Sequence, residues 1–114
     1  MFKMDILVTI PRSEAYNQVK EDRFVTRLQN KAVQFWKISR KPTNLNIGDR
    51  VYFIEQGFIT CYHIFIGYVN DPTCEVTGRV WPGLNLLLEC PAVHLPKPVL
   101  HRGFQGFHYT TRLD

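Results

Sequence analysis

The sequence predicts an α+β fold: a small β-barrel of about six or seven strands, with one or two helices near the N-terminus. After residue 32, β-branched and aromatic runs alternate with turn signals, at Gly48-Asp49, Gln56-Gly57 and Asn70-Asp71-Pro72. Before residue 32, a capping residue opens a helical segment. The length of 114 residues suits one domain with one core, so we assign residues 1–114 to a single domain.

The first half of the chain is predicted to be strand, helix, strand and loop, over Met4–Ile10, Ser13 to about Asn30, Ala32–Ile38 and Arg40–Asn46. Ser13 can cap the helix, and Glu14 is favourable at its positive end. The apolar stripe shifts near Asp22, so the segment is one helix or two. Proline and two asparagines mark the basic loop that follows the second strand.

The stretch Ile47 to Ile54 predicts a turn at Gly48 and Asp49 that leads into the central strand of the barrel. Strand side chains alternate, so Val51 and Phe53 point one way while Tyr52 and Ile54 point the other. A strand that is apolar on both faces is covered on both faces, as in a small barrel with further chain packed outside it.

Further strands are predicted at Phe58–Val69, Cys74–Val80 and Leu84–Glu89. Pro91, Pro96 and Pro98 make the next segment extended and non-helical. In Arg102–Tyr109, glycines alternate with aromatic residues, and two interpretations stay open. Either the phenylalanines fill the core while the glycines allow tight turns, or the segment is a functional loop that closes over a ligand.

Several kinds of site are not predicted by the sequence. The three cysteines show no CxxC spacing, which indicates thiols in a reducing cytosol and a cytoplasmic protein. Cys61 and His63 lie two apart on a strand and could share a metal, but no second pair completes a zinc site. Nucleotide-binding fingerprints and nucleophile elbows are also missing. We therefore expect no metal, no disulfide and no cofactor, and no membrane span or secretory signal.

Positive charge is concentrated in one stretch of the chain. Between Lys20 and Arg50, eight basic side chains face three acidic ones, an excess of five, whereas the whole chain carries +4. A local excess of this kind is the electrostatic footprint of a nucleic-acid-binding protein. The alternative is a solvated basic face that has no partner.

Trp36 is the strongest candidate for contacting a nucleic-acid base. Lys31 precedes it, and Lys37, Arg40 and Lys41 follow it, so a pocket lined by this indole would have a cationic lip. Unstacked bases pack on aromatic faces while basic groups hold the backbone. The alternative is that Trp36 belongs to the core.

The order of these elements resembles the PUA-like superfamily, particularly its EVE and ASCH branches. The resemblance spans roughly Met4 to Glu89 and rests on the Gly-Asp motif within Leu45–Phe53, with Gly67 nearest to the glycine of the following strand. It implies a pseudobarrel that binds RNA or DNA, in some members by taking one modified base into an aromatic pocket. It places Trp36 and the Thr9–Ser13 loop at that pocket.

These observations together predict a module that binds RNA or DNA rather than an enzyme. The residues assigned to binding are Arg12, Ser13, Lys31, Trp36, Lys37, Arg40 and Lys41. One alternative is an ASCH-like hydrolase or ribonuclease that uses Lys20 or Lys31 with Glu21. Another is a protein-interaction domain whose apolar surface pairs with itself.

Overall fold

The structure is a computed structural model, and it describes residues 4–10, 33–72, 78, 80 and 82–113. These residues form seven strands: β1 (Asp5–Thr9), β2 (Val33–Lys37), β3 (Arg50–Glu55), β4 (Phe58–Asn70), β5 (Leu84–Glu89), β6 (Val93–Leu100) and β7 (Phe107–Thr110). Within these ranges the chain contains no helix. The proline-rich segment predicted to be extended is β6.

The predicted α+β barrel is wrong, because the described part is all-β and its sheet is not closed. The strands follow the order β2-β5-β4-β3-β1-β7, with β6 also paired to β4. β1 runs parallel to β3, and the other pairs are antiparallel. A barrel needs backbone pairing between its first and last strands. Here β2 pairs with β5 and β7 pairs with β1, and no ladder joins β2 to β7 in the described chain. The helix predicted from Ser13 to about Asn30 lies outside the described residues, as does most of the strand predicted at Cys74–Val80.

β4 is the longest strand and joins the two parts of the sheet. Its first half pairs with both β3 and β6, which therefore lie on its two opposite edges. Its second half pairs with β5, and the register of this ladder shifts between Phe65 and Gly67. A shift of this kind bends a strand and increases its twist. The bend lets one strand serve both parts of a strongly curved sheet.

The alternation predicted for β3 is confirmed. Val51 and Phe53 belong to a first core cluster, and Tyr52 and Ile54 to a second one on the other face. All four side chains are fully buried. Each removes its whole apolar surface from water, about 1.5–3 kcal/mol for a side chain of this size. β3 is thus the strand on which both cores depend.

The C-terminal segment is anchored to the start of β1 and to β3. Asp5 is fully buried, and its carboxylate accepts hydrogen bonds from the Arg50 amide at 2.7 Å and the Arg112 Nε at 3.2 Å. The hydrogen bond from Arg112 to Asp5 raises the pKa of that guanidinium. The Tyr52 hydroxyl accepts from the Leu113 amide at 3.0 Å and donates to its carbonyl at 3.2 Å. These bonds hold the last described residues against the second core cluster.

Candidate functional site

A cleft of about 580 Å³ lies where the two ends of the sheet approach each other. The end of β2 and the residues after it form one wall, and the loop before β7 forms the other. Its lining consists of Thr9 and residues 36–39 and 104–107. Clefts of this volume are large enough to hold a small-molecule ligand.

Trp36 reaches this cleft because of the alternation along β2. Phe35 points to the far face, where it is buried against Val69 and Leu87. Trp36 points inward and is half-buried, packing on Phe53 with ring centroids 4.9 Å apart. Its remaining surface lines the cleft. Each of the two interpretations of Trp36 therefore holds for part of its side chain: one part packs in the core, and the other part lines the cleft.

The opposite wall is a loop whose path is fixed at several points. The Phe104 amide donates to the Thr9 hydroxyl at 3.1 Å. A Cβ at Gly103 would lie 3.1 Å from the Thr9 methyl, and Gly106 has φ +77°, a conformation that favours glycine. Phe104 also stacks on His108 with centroids 3.7 Å apart and an interplanar angle of 5°. A larger residue at either glycine would move this wall.

This loop combines features of both interpretations of Arg102–Tyr109. Phe107 is buried in the first core cluster, and Phe104 packs on the second, as the core interpretation predicts. The same residues line the cleft together with Gln105. Sequence reasoning missed Ser39 and Gln105 as lining residues. The spaced glycines were the one local signal that pointed to the loop.

Basic side chains surround the cleft unevenly. Lys37 is exposed and lines it. The Arg40 guanidinium lies 5.1 Å from the ring centroid of Phe107, a lining residue. Lys41 does not line the cleft, and its Nζ lies 4.7 Å from the Tyr68 ring centroid. Of the other assigned residues, Arg12, Ser13 and Lys31 lie outside the described part of the chain.

Hydrogen bonds hold the loop that carries Arg40 and Lys41. Tyr68 donates from its hydroxyl to the Pro42 carbonyl at 3.0 Å, and the Asn44 amide donates to the Tyr109 hydroxyl at 3.1 Å. Burial raises the pKa of Tyr109, but hydrogen bonds from Asn44 and Thr43 and the charge of Arg40 outweigh it and lower that pKa. The basic loop is thus tied to both β4 and β7.

A buried polar cluster lies behind the Trp36–Phe53 contact. The His63 ring lies 5.0 Å from that of Phe53, and its Nδ1–H donates to the Glu89 carbonyl at 2.9 Å. Burial lowers the pKa of His63 to about 4, although the bond to Glu89 opposes this shift. The Cys90 thiol donates to the side-chain Oε1 of Gln34 at 3.7 Å. At neutral pH His63 is therefore an uncharged imidazole protonated on Nδ1.

The residues on which the metal hypothesis and the two alternative functions depend can also be located. Cys61 is buried in the first core cluster, as expected for a small apolar side chain. Across the described ranges, no three His, Cys, Asp or Glu side chains are grouped to hold a metal ion. The hydrolase residues lie outside those ranges. The self-association hypothesis would use the exposed apolar side chains at one end of β4 and β6, which are Phe58, Val99 and Leu100.

Comparison with known proteins adds no family assignment. Neither the protein-family models, nor the curated proteins, nor the solved structures contain a match to this chain. The resemblance to the PUA-like superfamily therefore stays a prediction from the sequence pattern. In the part of the chain that the structure describes, no helix is long and apolar enough to cross a membrane.

Proposed function

We propose that the protein binds RNA or DNA and takes one unpaired base into the cleft beside Trp36. The observation that carries this proposal is the composition of the lining. Among its nine described residues are three aromatic side chains and one lysine, and there is no carboxylate. Aromatic rings offer stacking surface to a base, and a cation without a neighbouring acid attracts a phosphate.

The charges beside the cleft support the same proposal. Arg40 and Lys41 are exposed, and their neighbours in the structure include aromatic rings. Contact with a ring face leaves the positive charge accessible to solvent and to an incoming anion. A nucleic-acid backbone that crosses this rim would place its phosphates near these groups while one base enters the cleft.

The lining favours binding over hydrolysis. Lys37 is the one titratable side chain among the nine described lining residues. General acid–base catalysis needs at least one positioned group whose pKa lies near the working pH, and hydrolases commonly use a pair. The lining offers stacking and charge but no acid–base pair.

A comparison of two aromatic truncations on the same strand tests the proposal. Stacking is worth roughly 1–3 kcal/mol per base, so Trp36→Ala should weaken oligonucleotide binding by about five- to a hundred-fold. Phe35→Ala is the matched control, because Phe35 is buried on the opposite face of β2. It should lower the melting temperature and leave the affinity of the folded protein unchanged.

Both affinities are measured by fluorescence anisotropy well below the two melting temperatures. Phosphate contacts should also make the wild-type affinity fall steeply as salt increases. Unchanged binding by Trp36→Ala would contradict the base pocket. Affinity that is absent at low salt, or flat across the salt range, would contradict nucleic-acid binding altogether.

A further inference from the structure

We propose that Gln105 determines which base the cleft accepts, by hydrogen bonding to the edge of the inserted base. This inference rests on the proposed function and names the selectivity of the same site. Gln105 is exposed and lines the cleft, and it is the one carboxamide among the nine described lining residues. It lies in the Arg102–Tyr109 segment, for which the sequence left two interpretations open.

The loop holds Gln105 between two fixed phenylalanines. On one side, Phe104 is tied to Thr9 through its amide and stacked on His108. On the other side, Phe107 is buried, pairs with Val8 across the ladder and carries Arg40 over its ring. A polar side chain on a fixed backbone loses less entropy when it binds than one on a mobile loop. The loop therefore presents Gln105 with the preorganisation that selective recognition needs.

Few groups in the lining can distinguish one base from another. Every base has a π-face, so stacking on Trp36 tolerates any sequence. The Thr9 hydroxyl already accepts a hydrogen bond from the Phe104 amide. A carboxamide offers one acceptor and two donors side by side. Base edges also carry adjacent donors and acceptors, so Gln105 can form two hydrogen bonds with a base whose edge it faces.

The test uses short strands that carry a single base, flanked on both sides by abasic positions. Four such strands, one for each base, and a fully abasic strand are compared by fluorescence anisotropy, as DNA and as RNA. A good two-bond contact gives discrimination of about five- to a hundred-fold against the wrong base. We expect the wild-type affinities to span at least about ten-fold, and Gln105→Ala to reduce that span to under about three-fold.

Two further variants make the result specific to the carboxamide. Gln105→Glu presents acceptors only, so it should shift the preference toward guanine, whose Watson–Crick edge has two neighbouring donors. Asn46→Ala removes an exposed carboxamide that does not line the cleft and should leave the span unchanged. Ratios between bases cancel the uniform loss of affinity that the added negative charge of Glu causes.

The outcomes separate this inference from the proposed function. If Gln105→Ala weakens all four strands equally, or if wild type binds all four equally but more tightly than the abasic strand, the base pocket stands and the role of Gln105 is wrong. A loss of selectivity in Asn46→Ala as large as that in Gln105→Ala would also overturn it. If the abasic strand binds as tightly as the others, the base pocket itself is wrong, and the inference falls with it.

Discussion

Two regions of this molecule hold arginine side chains in opposite ways. At the C-terminal segment, Arg112 forms an ion pair with the fully buried carboxylate of Asp5 at 3.2 Å. At the cleft, Arg40 lies over the ring of Phe107 and stays exposed. The first arrangement uses the charge to hold the fold together. The second keeps the side chain ordered while its charge remains accessible to an anion from outside.

The largest expected effect tests the structural half of this comparison. Arg112→Ala would leave the Asp5 carboxylate buried without its ion pair, which typically destabilises a protein by about 3–5 kcal/mol. Arg40→Ala removes an exposed cation over a ring and should cost at most about 1 kcal/mol. Urea unfolding of both variants measures the difference. Equal losses of unfolding free energy would show that the two arginines do not differ in the way we describe.

Acid should weaken the core through His63. Its folded pKa of about 4 lies below the ordinary value of 6.5, so the unfolded chain binds the proton more readily. The stability that depends on the neutral imidazole is therefore complete above about pH 6.5 and is lost as the pH falls to about 4. The difference between these two pKa values corresponds to about 3 kcal/mol of unfolding free energy.

The measurement is the slope of unfolding free energy against pH, compared between wild type and His63→Leu. The variant lacks the titrating imidazole, so its slope should be smaller between pH 4 and 6.5, whatever its absolute stability. Identical slopes in the two proteins would mean that His63 does not titrate with the lowered pKa. This test concerns the packed interior and leaves the cleft lining unchanged.

The smallest expected effect concerns the exposed cations. Arg40→Gln and Lys41→Gln should each weaken oligonucleotide binding a few-fold and reduce the slope of log affinity against log salt by about 0.7–0.9. Lys97→Gln is the matched control, because Lys97 is exposed on β6. By contrast, Arg40 lies over the lining residue Phe107, and Lys41 follows Arg40 in the chain. A salt slope that falls equally in all three variants would mean that the charge near the cleft has no special role.

The sequence predicted local structure better than it predicted assembly. The two faces predicted for Val51 to Ile54 in β3 were correct, because alternation with period two is a property of the strand alone. The closed barrel was wrong, because closure depends on which strands pair, and the parallel pairing of β1 with β3 joins residues 45 apart, as Ile6 and Val51 are. No periodicity within either segment encodes that partner.

The candidate site divides in the same way. Trp36 and Lys37 were selected from their own neighbourhood and do line the cleft. Gln105 lies far along the chain from them. The spaced glycines around it were compatible with a ligand loop, but no local pattern placed that loop opposite Trp36. Lys41 was selected by proximity in sequence, but its side chain turns to Tyr68 instead. Sequence spacing identified residues of the β2 wall, whereas tertiary packing brings the residues of the opposite wall to the cleft.

The gap between β2 and β7 has a consequence for how this architecture can change. In a closed barrel, the ladder fixes the circumference, so a wider interior requires another strand or a shifted register. Here, within the described residues, no ladder joins the two end strands, and the cleft between them is lined by Thr9 and residues 36–39 and 104–107. Substitutions at those few positions can widen or narrow the opening while every backbone pairing stays in place. The width of the cleft, and with it the size of the ligand that fits, can therefore change in evolution while the strand pairing stays the same.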